Sequence, residues 1–189
     1  MFVLDSSGSV GEDNFELTKE FAVNITRQFT IGPQNTHVGA IVFSNLAQIS
    51  FQLNTSTNGT QIVNELQRIP YIDVPGASTN TADALRRLRL DVLTSEAGAR
   101  PQILAIPRVA IVVTDGRSSV NTSGTIPAAE AVHAEGIIVF SVGVGQNVDM
   151  HELNAIASSP SFVSHLSDFN ILEFQSYQLT LSNEACTGK

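Results

Sequence analysis

Val109-Ala110-Ile111-Val112-Val113 is an unbroken apolar run too short to be a buried helix and with no polar alternation. It predicts a strand covered on both faces, the kind found inside a parallel sheet. Met1 to Leu4, His37 to Ser44 (HVGAIVFS) and Ile137 to Val142 have the same character. Helical segments follow those at Met1–Leu4, Val109–Val113 and Ile137–Val142. Phe15, Ala22, Ile25 and Phe29 recur at helical spacing over Glu12–Phe29, with Glu12, Asp13, Glu16, Lys19 and Glu20 on the other face and Gly32-Pro33 as the stop. Ala47 to Leu53 instead alternates, and only Asn45 and Leu46 separate it from the preceding strand, so it predicts an antiparallel edge strand with Gln48, Ser50 and Gln52 facing water.

Further along, a short helix is expected from Thr60 or Gln61 to Ile69, a loop from Tyr71 to Ser78, and a helix over Asn80–Leu93 with Arg86, Arg87 and Arg89 as a solvated face. Pro127 suits the first turn of a helix over Ala128–Ala134 after a loop at Arg117–Thr125. Asp149 caps a helix through Ala157, Phe162–Leu166 is a last strand, and Asp168 caps a terminal helix with Ile171, Phe174, Tyr177 and Leu181 along one side. Strands alternating with helices give a doubly wound α/β fold with a mostly parallel six-stranded sheet, strand order 3-2-1-4-5-6, one antiparallel edge strand and helices on both faces. At 189 residues one domain is expected, over residues 1–185, with 186–189 as a tail.

In that order the first and fourth strands are neighbours at the topological switch point, where open α/β sheets bind ligands at the carboxyl ends of their strands. The first strand runs into Asp5-Ser6-Ser7-Gly8-Ser9-Val10-Gly11 and the fourth into Thr114-Asp115-Gly116. Asp5, Ser7 and Ser9 alternate, so their side chains can meet above the turn. A carboxylate and two hydroxyls are hard oxygen donors, suited to Mg²⁺ or Ca²⁺. Helix capping by Asp and Ser is the alternative for any one of these loops.

Taken together the motifs resemble the von Willebrand factor type A family, whose metal-ion-dependent adhesion site is built from a D-x-S-x-S turn, a threonine on a second loop and an aspartate on a third. Here these match Asp5, Ser7 and Ser9; Thr79 in Gly76-Ala77-Ser78-Thr79-Asn80-Thr81; and Asp115 in Val112-Val113-Thr114-Asp115-Gly116. The resemblance implies that these five residues bind Mg²⁺, with Mn²⁺ or Ca²⁺ as alternatives. It also implies that a carboxylate of a protein partner completes the metal shell. Ala82-Asp83-Ala84-Leu85 and Ala97-Gly98-Ala99-Arg100-Pro101 look most like the matrix branch, the matrilins and non-fibrillar collagens, which makes matrix assembly the expected role and collagen or another matrix protein the expected partner. Many such domains pair a cysteine after the terminal helix with one before the first strand, and Cys186 would pair outside this sequence.

Asn24, Asn54, Asn58 and Asn121 each head an Asn-x-Ser/Thr glycosylation sequence, and with the lone terminal Cys186 they point to an extracellular chain. Met1 opens directly on a strand, as in a domain excised from a longer protein. The net charge of −8 and the lack of a Lys/Arg block argue against nucleic acid, and the strand-sized apolar runs against membrane insertion. There is no phosphate-binding G-x-x-x-x-G-K-[ST]; Gly143-Val144-Gly145 reads as a turn; His37, His133, His151 and His165 have no zinc spacing; and Gly8-Ser9-Val10-Gly11 is not a nucleophile elbow. A binding module is therefore expected rather than an enzyme. A structural module using another face, or a metal-assisted hydrolase, are the other classes.

Overall fold

A computed structural model describes residues 1–72 and 78–173. The elements in chain order are β1 (Phe2–Asp5), α1 (Gly11–Thr26), β2 (Ala40–Phe43), β3 (Ala47–Phe51), α2 (Gly59–Gln67), α3 (Thr81–Arg87), β4 (Arg108–Thr114), α4 (Thr122–Ala134), β5 (Ile137–Val144), α5 (Met150–Ile156) and β6 (Val163–Leu166). They form one sheet in the order β3-β2-β1-β4-β5-β6. All neighbouring pairs are parallel except β2 with β3. This is the expected doubly wound arrangement.

Alternation along the buried strands divides the core into two layers. Phe2 and Leu4 of β1 pack with Phe15, Phe21 and Ile25 of α1 and with Ile62 and Leu66 of α2. Val3 points the other way, to Ala84, Leu85 and Leu88 beyond α3's start and to Ala129 and Val132 of α4. The central strands are therefore apolar on both faces over most of their length, because successive side chains enter different cores; Ser141 is buried within β5, and Asp5 and Thr114 close β1 and β4.

Several local expectations are corrected. Helix α1 ends at Thr26, short of Phe29 and of Gly32-Pro33, with Arg27 donating back to Val23 O at 3.0 Å. Lys19 is not on a solvated face: it is buried, and its ammonium donates to Gln67 O and Ile69 O at 3.1 Å each while pairing with Glu16 at 2.7 Å. It satisfies carbonyls at the carboxyl end of α2, where a helix exposes unpaired acceptors and partial negative charge. The helix after Asn80 is regular only to Arg87 and continues as a π turn over Leu88–Val92. Arg87 and Arg89 are half-buried in ion pairs, the latter to Glu135 at 2.8 Å; Arg86 is the exposed one. Helix α4 starts at Thr122, so Pro127 lies inside it instead of in its first turn, and the preceding loop is correspondingly shorter. Asp149 does cap α5, accepting from the backbone N–H groups of His151 and Glu152.

Of the expected terminal helix, a 3₁₀ segment at Phe169–Glu173 is described; Phe174, Tyr177, Leu181 and Cys186 lie outside the described residues, as do 73–77 of the expected loop. Among the described residues no helix is long and apolar enough to cross a membrane.

Candidate metal centre at the switch point

The carboxyl ends of β1 and β4 lie side by side, with Leu4 opposite Val113 in the parallel register. The next residues, Asp5 and Thr114, therefore leave the sheet together, and the Thr114 hydroxyl donates to Asp5 Oδ2 at 2.6 Å. Asp5 Oδ1 accepts from the Ser7 backbone N–H at 2.9 Å. The loop is fixed from the other side by Ser6, whose N–H and hydroxyl both donate to Phe43 O of β2, at 2.8 and 3.2 Å. Tyr71 adds a hydrogen bond from its phenol to Ser7 O at 3.2 Å. The chain then enters α1 through Gly11, at φ 73°, a conformation that costs a residue with Cβ and suits glycine. Gly8 has no such φ, so of the two glycines in this loop only Gly11 is required for its backbone.

From Asp5 the polar side chains continue in a line. The Ser7 and Ser9 hydroxyl oxygens are 3.2 Å apart, and Ser9 donates to Asp115 Oδ1 at 2.9 Å. The line starts buried at Asp5 (2% exposed) and reaches solvent at Ser9. Thr79 arrives on a separate loop tied to the one after Asp115: its N–H donates to Ser119 Oγ at 2.9 Å, and its carbonyl accepts from Ser119 and Val120 at 2.9 and 3.2 Å. Asn80 anchors the same loop to the β2–β3 hairpin, its N–H donating to Ser44 O at 2.8 Å and its side-chain amide to Asn45 O at 3.0 Å. All five sequence-predicted residues thus lie at one end of the sheet, and four of them are joined in one hydrogen-bonded line.

The electrostatics are those of a site lacking positive charge. Burial raises the Asp5 pKa from 3.8 to about 6; hydrogen bonds from Thr114 and Ser7 oppose that, and the Asp115 carboxylate adds to it. Asp115 is raised too, by burial, against the hydrogen bond from Ser9. Neither carboxylate has a lysine or arginine pair among the described ion pairs. Asp5, Ser7, Ser9 and Asp115, with Thr79 on the adjoining loop, are hard-oxygen donors of the kind a small divalent cation takes. Among the described residues no group of three His, Cys, Asp or Glu side chains is placed to hold a metal, so the hydroxyls are integral to any site here.

Sequence reading missed two supporting contacts. Thr114 was legible only through the β1–β4 register, which puts it beside Asp5. Glu152 of α5 was not legible at all: its carboxylate accepts the Ser118 N–H at 3.1 Å and the Ser118 hydroxyl at 2.8 Å, while Ser118 Oγ lies 2.9 Å from Thr125 Oγ1. This pins the loop that leaves Asp115. Around the same end stand exposed apolar side chains, Leu46 on the hairpin tip (65% exposed), Ile126 in α4 (37%) and Met150 at the start of α5 (41%), and Arg117, two residues after Asp115, is exposed as well.

A family model described as the von Willebrand factor type A domain matches residues 1–178. Among curated relatives, the human collagen alpha-1(XXI) chain is 33% identical over 171 residues, covering 89% of this chain and 17% of that protein. Mouse matrilin-4 is 36% identical over 174 residues, covering 91% of this chain and 27% of that protein. The chain thus spans about a quarter or less of these relatives. Collagens and matrilins are proteins of the extracellular matrix, which agrees with the extracellular placement expected from the sequence. Among solved structures, proximal thread matrix protein 1 from the mussel byssus superposes with a TM-score of 0.86 at 26% identity, covering 98% of this chain and 45% of that one. The same protein with its MIDAS motif occupied by zinc superposes with a TM-score of 0.85 at 25% identity, covering 98% and 44%.

Proposed function

This chain belongs to the von Willebrand factor type A family, and we propose that it is an extracellular adhesion module that binds a protein partner through a divalent cation held by Asp5, Ser7, Ser9, Thr79 and Asp115. The observation that carries this reading is the line from Thr114 through Asp5, Ser7 and Ser9 to Asp115, which brings two carboxylates without a cationic partner among the described ion pairs and three hydroxyls together at the switch point. When bound, the cation supplies an electron-poor centre able to accept a carboxylate from another molecule. Thr114 and the Ser7 N–H already occupy one lone pair on each Asp5 oxygen, which holds that carboxylate in a fixed orientation. Ser9 is exposed and marks the solvent side of the site, where a partner's Glu or Asp would approach.

Mg²⁺ is the proposed ion, with Mn²⁺ or Ca²⁺ as alternatives. Zinc occupies the motif of the mussel protein, and a site of oxygen donors ranks zinc above the alkaline-earth ions in raw affinity, so availability decides in an extracellular fluid rich in Mg²⁺ and Ca²⁺. The apolar rim of Leu46, Ile126 and Met150 supports a protein partner, since carboxylate capture alone needs no apolar surface. The matrix relatives favour collagen or another matrix protein with an exposed acidic side chain in that role. The module is proposed to work without catalysis.

The test is calorimetric titration of Mg²⁺ into the domain and its Asp5→Ala variant, followed by binding of both to immobilised collagens and matrilins with and without EDTA. Saturable Mg²⁺ binding lost in the variant, and partner binding lost in EDTA, are expected. Partner binding that survives both EDTA and Asp5→Ala would place recognition on another face.

A further inference from the structure

The metal site leaves unused the Asn-x-Ser/Thr sequences at Asn24, Asn54, Asn58 and Asn121. N-glycosylation joins the asparagine Nδ2 to C1 of a sugar carried on a lipid diphosphate. The C1–N bond forms as the C1–O bond to the diphosphate breaks, the amide gives up one proton, and the lipid diphosphate leaves. The modified side chain keeps its Oδ1 acceptor but now carries a large solvated group on nitrogen. A sequence of this kind is compatible with the finished fold where Oδ1 makes the native contact, Nδ2 faces solvent and the hydroxyl residue is accessible.

Three of the four positions do not meet that description. Asn24 is half-buried within α1, and its partner Thr26 is buried with its hydroxyl donating to Ala22 O at 2.8 Å. Asn54 uses Nδ2 itself, donating to Glu96 O at 2.9 Å. It is also wedged against Gly98, where an added Cβ would come within 2.7 Å of the Asn54 backbone nitrogen and Cβ. Asn121, at φ 50°, folds its side-chain amide over Gly124, where an added Cβ would lie 2.5 Å from Nδ2. It also stands on the loop leading from Asp115, at the end where the aspartates open.

Asn58 shares its exposure with Asn54 and Asn121 but differs in which amide atom it commits. It is exposed, and it is the N-cap of α2: Oδ1 accepts the Gln61 N–H at 3.1 Å, the backbone carbonyl accepts from Ile62 at 3.0 Å, and its own N–H donates to Ser56 Oγ at 3.0 Å. Among the described hydrogen bonds none uses its Nδ2. Thr60, in the first turn of α2, is exposed. The cap thus fixes the side chain by the one atom that glycosylation leaves alone. Strand β3 runs antiparallel to the others, so the loop after it emerges at the end of the sheet opposite Asp5.

We infer that Asn58 is the N-glycosylation site of this domain and that its glycan projects away from the Asp5–Asp115 end. The inference is independent of metal binding and is tested on the chain secreted from human cells behind a signal peptide. Treatment with peptide N-glycosidase in ¹⁸O-water marks every occupied asparagine for peptide mapping. The expected result is a label at Asn58 in most of the folded, secreted molecules and its disappearance in Thr60→Ala, which removes the acceptor sequence but keeps the cap. Enzymatic removal of the glycan leaves an aspartate at position 58, which still offers an oxygen to the Gln61 N–H, so the deglycosylated wild type and Thr60→Ala should both keep a capped α2 and unfold at similar midpoints. Asn58→Gln should also lose the label, but with a lowered midpoint, because the longer side chain does not cap. A folded, secreted protein bare at Asn58, with or without labels at Asn24, Asn54 or Asn121, overturns the inference.

Discussion

At Asp5 two demands conflict, because the residue is buried and yet must carry a negative charge to hold a cation. Its folded pKa, about 6, lies above the unfolded 3.8. The protonated form is therefore favoured by folding. The metal-free domain should be most stable below pH 4 as far as this group is concerned, losing on the order of 3 kcal/mol as pH rises from 3.8 through 6. Asp115, raised in the same direction, adds to the effect. Urea unfolding in EDTA at intervals between pH 4 and 7 checks this: Asp5→Asn should flatten the decline seen in the wild type, and an equally steep decline in the variant would refute the assignment. Mg²⁺ affinity should run the other way, rising with pH through 6, since the carboxylate must be free to bind. The alternation Asp5, Ser7, Ser9 was legible in the sequence because a strand-end turn has few ways to direct alternate small side chains. The burial that sets the pKa was not, because it depends on Thr114 and Phe43 closing around the loop from neighbouring strands.

At the scale of elements, much of the precision comes from single side chains that tie one segment to the end of another. Glu152 on α5 holds the Ser118 N–H and hydroxyl, and through them the loop leaving Asp115. Glu152→Ala should lower stability by about 1.5–3 kcal/mol, the range for hydrogen bonds to a charged group, and weaken Mg²⁺ binding severalfold. Glu152→Gln, which keeps an acceptor, should recover part of both in denaturant titration and calorimetry. Lys19 does comparable service for α2, and Lys19→Met, which keeps the apolar stem but strands the Gln67 and Ile69 carbonyls, should cost about 1–3 kcal/mol. The existence and order of the elements were readable from periodicity. Their ends were not: α4 begins at Thr122 because Asn121 takes a left-handed turn and Ser118 meets Thr125, none of which periodicity records. The π turn at Leu88–Val92 keeps Leu88 and Val92 buried just as an α-helical turn would, so the apolar pattern cannot tell the two apart.

For the molecule as a whole, the strand order was legible because fully apolar strands demand a helical layer on each side, and the switch point follows from that. A cation bound at that point should stabilise the whole fold, since the loops it joins follow β1 and β4 and precede α3. At a free Mg²⁺ concentration about 100 times the Kd, the gain is about 2.7 kcal/mol, so EDTA should lower the melting temperature of the wild type and leave that of Asp5→Ala unmoved in a calorimetric scan. Equal melting temperatures with and without EDTA in the wild type would contradict cation binding by the native state. Asp5, Thr79 and Asp115 come from stretches far apart in the chain, brought together only by two crossings of the sheet. A chain with one crossing misthreaded would hold every ligand and have no site. Under the proposed function, grip on a partner would be a certificate of correct winding, and a molecule that lost its topology would let go instead of holding on in a damaged form.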